Sequence, residues 1–374
     1  MTVETKPSQG QNDATRDGKP PVESKEDGNV SSWAEVMGLQ RFLVAMARYP
    51  LHNLGMAVSS FKQGIASLRG TQFKPATDIQ DQSGKVILVT GGNAGLGYET
   101  IKELATHNPR RIYLAARSES KALEAITSIK LTLEQDVDIR YLSLDLSSFD
   151  SIRAAAKQFR NDCDRLDTLI LNAGVMNAAA ENITKEGYEP HIGVNYIGHW
   201  LLTDLLLPTL LKTAHESENP DVRVICLSSW AWMMSPIDLA TLTSNEELLK
   251  QNSWARYGAS KAANVVLACE LAQQHPELTC VSLHPGIIPS NLYNRTLATN
   301  PLVSGFWPLA KKYCLPTERE GAFNQLLLAG GKKENLKNGG FYNPVGVLSR
   351  NWFAENDEVR KVMWKWAEQE VKKH

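Results

Sequence analysis

The 374-residue sequence predicts an α/β fold, a single doubly wound parallel sheet with helices on both faces, carrying an N-terminal amphipathic helical extension. Three observations predict it. Short apolar runs rich in β-branched residues alternate with helical stretches from Val86 onward. The first of these runs enters a glycine-rich turn and then a helix, and no fixed-period repeat competes with the alternation. Strand and helix in strict alternation mean βαβ units, whose crossovers place helices on both faces of a parallel sheet.

The elements follow in order. Val86–Thr90 reads as a strand, Gly95–Thr106 as a helix, Arg111–Ala116 as a strand and Ser118–Glu134 as a helix. Ile139–Leu144 and Thr168–Leu171 are strands on either side of the helix Ser148–Arg160. A long helical segment around Glu189–Lys212, a strand at Val222–Leu227, a helix near Arg256–Gln274 and a strand near Thr279–Leu283 complete the core. Farther on, Thr317–Ala322 begins a helix, Gly340–Tyr342 reads as a last strand, and Val359–Trp366 is an amphipathic helix on the domain surface.

Four regions result: a disordered tail over 1–31, the helical extension over 32–76, the main α/β domain over 80–350 and a C-terminal helix over 351–374. The tail mixes both charges with Gly, Pro, Ser and Asn and lacks the apolar core of a signal peptide. In the extension, Leu51, Leu54, Val58, Phe61, Ile65 and Leu68 recur in steps of three and four. Arg41, Arg48, Lys62, Arg69 and Lys74 interrupt or flank its runs, so no stretch reaches the ~18 to 20 apolar residues of a spanning helix. A helix pair packed on the main domain, peripheral membrane contact through 32–74 and an oligomer contact such as a homodimer are all left open.

Lys+Arg at 40 against Asp+Glu at 41 leaves no global basic field to hold nucleic acid. The 5 cysteines are scattered and lack C-x-x-C spacing, against a disulfide framework or zinc ribbon and in favour of a reducing, cytoplasmic setting. The histidines, His199 and His284 among them, lack metal-ligand spacing and read as hydrogen-bonded structural residues. A G-x-S-x-G elbow is missing, which removes the serine-hydrolase reading.

The glycine turn carries the first functional signal. The strand runs into Thr90-Gly91-Gly92-Asn93-Ala94-Gly95-Leu96-Gly97 and then a helix, whose first N–H groups and positive dipole end suit a pyrophosphate. The bland alternative is a tight turn without a ligand. An NAD site places a carboxylate about 20 residues beyond the glycines, whereas a 2′-phosphate needs positive charge. Here Leu114-Ala115-Ala116-Arg117-Ser118 puts Arg117 at that distance and no acid, which favours NADP(H).

These motifs resemble the short-chain dehydrogenase/reductase superfamily over about Lys85 to Gly346, with T-G-x-x-x-G-x-G followed in order by Asn172-Ala173-Gly174, Asn195, Ser229, Tyr257 with Lys261, and Pro285-Gly286. The segments Gly193–Thr203 and His284-Pro285-Gly286 look most like its retinol-dehydrogenase and WW-domain-oxidoreductase branch. The resemblance implies a Rossmann-type fold with Gly91, Asn93, Gly95, Leu96 and Gly97 on the cofactor phosphates and Asp145-Leu146 beside the adenine ring, although Asp145 also reads as a helix cap. It also implies Asn172, Ala173, Gly174, Pro285, Gly286, Ile288 and Ser290 around the rest of the cofactor, with Ser290 keeping the hydroxyl of the family's usual Thr.

Tyr-x-x-x-Lys spacing is weak alone, and Tyr98 with Lys102 fits it too, at the start of the helix after the glycine turn. Tyr257 and Lys261 follow the Val222–Leu227 strand instead, and residues four apart share a helical face. A nearby ammonium favours phenolate and brings a phenol, ordinarily near 10, into the range of proton exchange. By resemblance, Tyr257 is the general acid/base, Ser229 polarises the carbonyl, Lys261 also holds the nicotinamide ribose, and Asn195 positions a water linking Lys261 to solvent. An inserted segment with Trp230, Trp232, Met233, Met234, Pro236 and Leu239 reads equally as substrate mouth or as packing. The stretch Asn291–Pro316, with Leu292, Tyr293, Phe306 and Trp307, resembles the family's substrate lid and suggests an apolar small-molecule substrate. The expected function is therefore NADP(H)-dependent interconversion of a carbonyl and an alcohol. A catalytically silent nucleotide-binding protein and a reductase of activated C=C bonds are the rivals.

Overall fold

The structure, a computed structural model, describes residues 73–176, 178–218, 220–288 and 315–374. The expectations for the tail, for nearly all of the helical extension, for Ser290 and for most of the Asn291–Pro316 segment lie outside the described residues. What remains of the extension is α1 (Pro75–Asp78), beside which Phe73 meets Phe323 edge-on at 5.4 Å.

The core alternates as expected: β1 (Val86–Thr90), α2 (Gly95–Ala105), β2 (Arg111–Ala116), α3 (Glu119–Lys130), β3 (Ile139–Ser143), α4 (Phe149–Asp162) and β4 (Thr168–Leu171). Then α5 (Pro190–Ile192) runs through one π turn (Gly193–Ile197) into α6 (Gly198–His215), followed by β5 (Arg223–Leu227) and a 3-10 turn (Trp230–Met234). Two short helices, α7 (Leu239–Leu242) and α8 (Asn245–Leu249), precede α9 (Ser253–Gln274) and β6 (Thr279–Leu283). The chain ends with α10 (Glu318–Gly330), β7 (Phe341–Asn343), β8 (Val347–Ser349), α11 (Trp352–Glu355) and α12 (Asp357–Lys372).

The sheet order is β3-β2-β1-β4-β5-β6-β7-β8, parallel throughout except for the final β7–β8 pair. Every residue of β1, β4, β5 and β6 is buried, because a strand covered on both faces must be apolar at almost every position. Alternate side chains feed two cores. Val86, Leu88, Leu169 and Leu171 join one with residues of α4, α6, α9 and α12; Ile87, Val89 and Ile170 join the other with residues of α2, α3 and α10. The chain proceeds outward from β1 to β3 and then returns to set β4 against the other side of β1, pairing Ile87 with both Ile112 and Thr168. At that reversal the loops leaving β1 and β4 diverge and open a crevice at their carboxyl ends.

Three expectations need correction. The strand at Phe341–Asn343 is not the last, since the chain turns back at Gly346 (φ +71°) into β8 on the sheet edge. The C-terminal region is two helices, each begun by an asparagine cap: Asn351 accepts from Phe353 N–H at 2.9 Å and Asn356 from Val359 N–H at 3.1 Å. Nor does α12 merely lie on the surface, for it buries Val359, Met363, Trp366, Ala367 and Val371 in the first core. The long helical segment expected around Glu189–Lys212 is present, with Glu189 as its N-cap and the π turn near its start, Asn195 lying at the centre of that turn.

Candidate active site

The glycine turn is pressed against the end of β4. Gly91 and Gly95 hold positive φ (+67° and +56°), which glycine adopts without strain. A Cβ on Gly91 would stand 3.0 Å from Ala173 Cα, and one on Gly97 only 2.4 Å from the Gly91 carbonyl. Asn172 Nδ2 donates to Thr90 O at 2.8 Å, and Ala173 N–H to Thr90 Oγ1 at 3.0 Å. Buried His199 sits behind this contact. Burial lowers its pKa to about 3, so the ring is neutral; Nδ1–H donates to Asn195 O (3.0 Å) and Nε2 accepts the Thr90 hydroxyl proton (3.0 Å). The N-cap of α2, Ala94, makes no side-chain capping bond, which leaves the first N–H groups of that helix to a ligand.

A cleft of about 700 Å³ opens here. Gly91, Asn93, Gly95 and Leu96 line it from the turn, Arg117 from the end of β2, Asp145 and Leu146 from the end of β3, and Asn172, Ala173 and Gly174 from the end of β4. Ser229, Tyr257 and Lys261 line its other half together with Pro285, Gly286 and Ile288 beyond β6. Of the remaining expected residues, Gly97 is buried beneath the turn and Asn195 is fully buried behind Val175. Tyr98 lies elsewhere, its hydroxyl 2.9 Å from Ser128 Oγ. Asp145 does not cap the next helix. Its Oδ1 accepts from Ser147 N–H and Oγ–H (2.9 and 2.6 Å), and Ser148 is the cap.

The half of the cleft with Ser229, Tyr257 and Lys261 is held by β5 and α9. Lys261 Nζ and Asn264 Nδ2 both donate to Leu227 O (2.9 and 3.0 Å), and Ser228 Oγ–H donates to Lys261 O at 2.7 Å. Lys261 Nζ stands 5.7 Å from the centroid of the Tyr257 ring. Burial pulls the Lys261 ammonium down to about 8, close enough to neutrality for the charge to respond to what binds beside it. Ser229 caps the 3-10 turn, accepting from Ala231 N–H at 3.2 Å. Asn195 has no amide donor to spare: Oδ1 accepts from Val175 N–H (2.7 Å), while Nδ2 donates to Val175 O (3.0 Å) and Ser260 Oγ (2.9 Å).

Sequence reasoning missed Gly258. A Cβ there would lie 2.4 Å from Ala231 O and 2.8 Å from Ser235 N, so the absent side chain lets α9 abut the 3-10 turn and brings Ser229 and Tyr257 to one cleft. Gly258→Ala is expected to lower stability by about 1–3 kcal/mol, because backbone rather than a flexible side chain must give way. Thermal unfolding checks this; an unchanged Tm would mean the turn is free to move. Glu318 was missed too. It lines the cleft at the start of α10, its Oε1 3.9 Å from where a Gly95 Cβ would be.

The inserted segment divides between the two readings. Trp230, Ala231 and Met234 line the cleft with Trp254, whereas Trp232, Met233 and Leu239 pack in the core. His284 is hydrogen-bonded at one nitrogen: Nδ1 accepts weakly from Trp230 N–H at 3.4 Å, while buried Nε2 has no partner among the described residues. Its ring stacks on Trp230 at 5.2 Å, and burial holds it neutral, its pKa lowered to about 3.

The residues present fit a dinucleotide. The glycine cradle would be filled by any Cβ, the uncapped helix end is apt for phosphate, and apolar walls suit flat rings. Among the described residues no cluster of His, Cys, Asp or Glu could hold a metal ion, and no helix is long and apolar enough to cross a membrane.

Comparison with known proteins agrees with this geometry. The family described as short chain dehydrogenase matches residues 85–300. A short-chain dehydrogenase/reductase of Armillaria gallica is 39% identical over 302 residues, covering 79% of this chain and 93% of that protein. Retinol dehydrogenase 11 of Homo sapiens is 34% identical over 284 residues, covering 75% and 84%. Among solved structures, the Pseudomonas aeruginosa RhlG/NADP active-site complex is similar with a TM-score of 0.53 and 26% identity, covering 71% of this chain and 96% of that one.

Proposed function

Because the chain belongs to the short chain dehydrogenase family, we propose that it is an NADP(H)-dependent oxidoreductase interconverting a carbonyl and an alcohol on an apolar small molecule. The observation that carries the reading is the meeting of Ser229, Tyr257 and Lys261 with the glycine turn in one cleft. When bound, the cofactor supplies or accepts a hydride. In the reductive direction Tyr257 gives its phenolic proton to the substrate oxygen, and the Ser229 hydroxyl donates to that same oxygen as charge builds on it. Lys261 favours the phenolate left behind and holds the nicotinamide ribose. Asn195 fixes the loop after β4 by gripping both polar groups of the Val175 peptide.

Arg117 supports NADP(H) over NAD(H): it is exposed at the cleft rim where a 2′-phosphate would stand, with no carboxylate on that turn. The similarity to a protein solved with NADP points the same way. Trp230, Met234 and Trp254 give the other half of the cleft its apolar wall, and the likeness to a retinol dehydrogenase is consistent with an apolar substrate.

The test is turnover of NADPH with a panel of apolar ketones and aldehydes, with products identified so that C=C reduction is recognised. Arg117→Ala is expected to weaken NADPH binding about tenfold or more, as loss of a charge-assisted phosphate contact should, and to leave NADH binding nearly unchanged. Tighter binding of NADH by the parent protein would overturn the cofactor assignment.

A further inference from the structure

One buried polar cluster serves none of the roles above. Glu189, His191 and Arg256 are all buried, Glu189 and His191 with no exposed surface at all. The Glu189 carboxylate accepts from His191 Nδ1–H at 2.6 Å and from Ile192 N–H at 2.8 Å, and lies 2.9 Å from Arg256 Nε. His191 Nε2 accepts from the backbone N–H of Ala178 at 3.1 Å. A backbone amide can only donate, so the imidazole is neutral and carries its proton on Nδ1. Arg256 completes the clamp: Nη2 donates to Ala178 O at 3.1 Å and Nη1 to Gln251 O at 2.9 Å. Both polar groups of the Ala178 peptide are thus held, three residues beyond the Val175 peptide that Asn195 holds. Met176 lies between the two clamps and lines the cleft. The same cluster borders Tyr257, since Arg256 precedes it in α9 and the His191 ring meets its ring edge-on at 5.9 Å.

We propose that Glu189 is a positioning residue for Tyr257: its carboxylate sets the His191 ring against the phenol ring, balances the Arg256 guanidinium beside it, and through both residues locks the loop after β4 onto the catalytic helix. This rests on Tyr257 being the proton-transfer group. A buried carboxylate and guanidinium in contact cancel as seen from a neighbour, so removing either one leaves a net charge acting on the phenol. Besides this cluster, Lys261 in the same helix stands 5.7 Å from the Tyr257 ring, and Arg117, Asp145, His284 and Glu318 line the shared cleft. These stay constant across the variants below.

The experiment is a pH titration of the full chain labelled with ¹³Cζ-tyrosine, with Tyr257→Phe assigning the resonance; it needs no substrate. Glu189→Gln is expected to lower the Tyr257 midpoint and Arg256→Gln to raise it, each by about one pH unit, the size for one charge at roughly 10 Å through an effective dielectric of about 20. The double variant should return near the parent value. Opposite signs are the signature, because general loosening of the fold would move both midpoints the same way. Shifts of one sign, or none, overturn the proposal. If Glu189→Gln does not fold, Arg256→Gln is set against Arg256→Lys, which keeps the charge: a midpoint raised in the first and near the parent value in the second supports the proposal, and a shift common to both, or none, overturns it. With a carbonyl substrate from the panel, Glu189→Gln should also lower kcat about tenfold with KM within threefold. A parent protein that reduces no substrate would refute the enzymatic reading while leaving the titration result standing.

Discussion

Replacing Tyr257 by Phe is expected to lower kcat by about 10²- to 10⁴-fold, the usual worth of a positioned general acid or base, while the protein folds normally and binds NADPH within a few-fold of the parent. The ring itself is retained. It is 7% exposed and packs edge-on against Trp254 at 6.4 Å and His191 at 5.9 Å, and both ring contacts survive the substitution. What disappears is the hydroxyl to which the proposed mechanism assigns the proton transfer. Steady-state kinetics with a reducible carbonyl, beside a Tm measurement, check the expectation. A variant with kcat within threefold of the parent would remove Tyr257 from the mechanism and shift attention to the other cleft-facing groups.

The second large effect is expected from Gly97→Ala. The new Cβ would meet the Gly91 carbonyl at 2.4 Å and Asn172 Nδ2 at 2.6 Å. Neither can retreat cheaply. Gly91 N–H is bonded to Ala115 O at 2.7 Å, and Asn172 Nδ2 donates to Thr90 O at 2.8 Å, so the turn and the end of β4 would have to separate. Overpacking of this kind costs about 1–3 kcal/mol, and the same movement displaces the N–H groups that the proposed function assigns to the cofactor phosphates. Affinity for NADPH should fall about 100-fold or more, as for the loss of two or so charge-assisted hydrogen bonds, readable by fluorescence titration. Gly84→Ala is the control, because Gly84 has φ +77° but open space around it. That change should cost about 1 kcal/mol of backbone strain and leave NADPH binding as in the parent. Equal binding by both variants would mean the glycine turn does not hold the cofactor.

Much of the architecture was legible in the chain because buried parallel strands are continuous apolar runs. Val86–Thr90, Thr168–Leu171 and Thr279–Leu283 are recognisable without their neighbours. The helix start at Thr317 was legible for a different local reason: Thr317 and Glu320 form a reciprocal capping box three residues apart. By contrast β8 left little trace. It is three residues long, lies on the sheet edge and exposes Val347 and Leu348, so it lacks the burial pattern that marks the other strands. The π turn at Gly193–Ile197 was likewise hidden inside a helical pattern.

The cleft shows the same division. The glycine turn, Tyr257 with Lys261, and Arg117 at the end of β2 could be singled out because spacing along a turn or helix is a property of adjacent residues. Glu318 beside Gly95, Gly258 against Ala231 and the clamp of Glu189, His191 and Arg256 on Ala178 could not. Local backbone preference and burial periodicity are written into short stretches, so the sequence by itself determined the alternating α/β elements and the phosphate turn. Proximity between residues far apart in the chain depends on strand order and helix packing. Those arise only when the whole sheet buries both faces at once, and they decided which side chains share the cleft, which peptides are clamped and which charges cancel beside Tyr257.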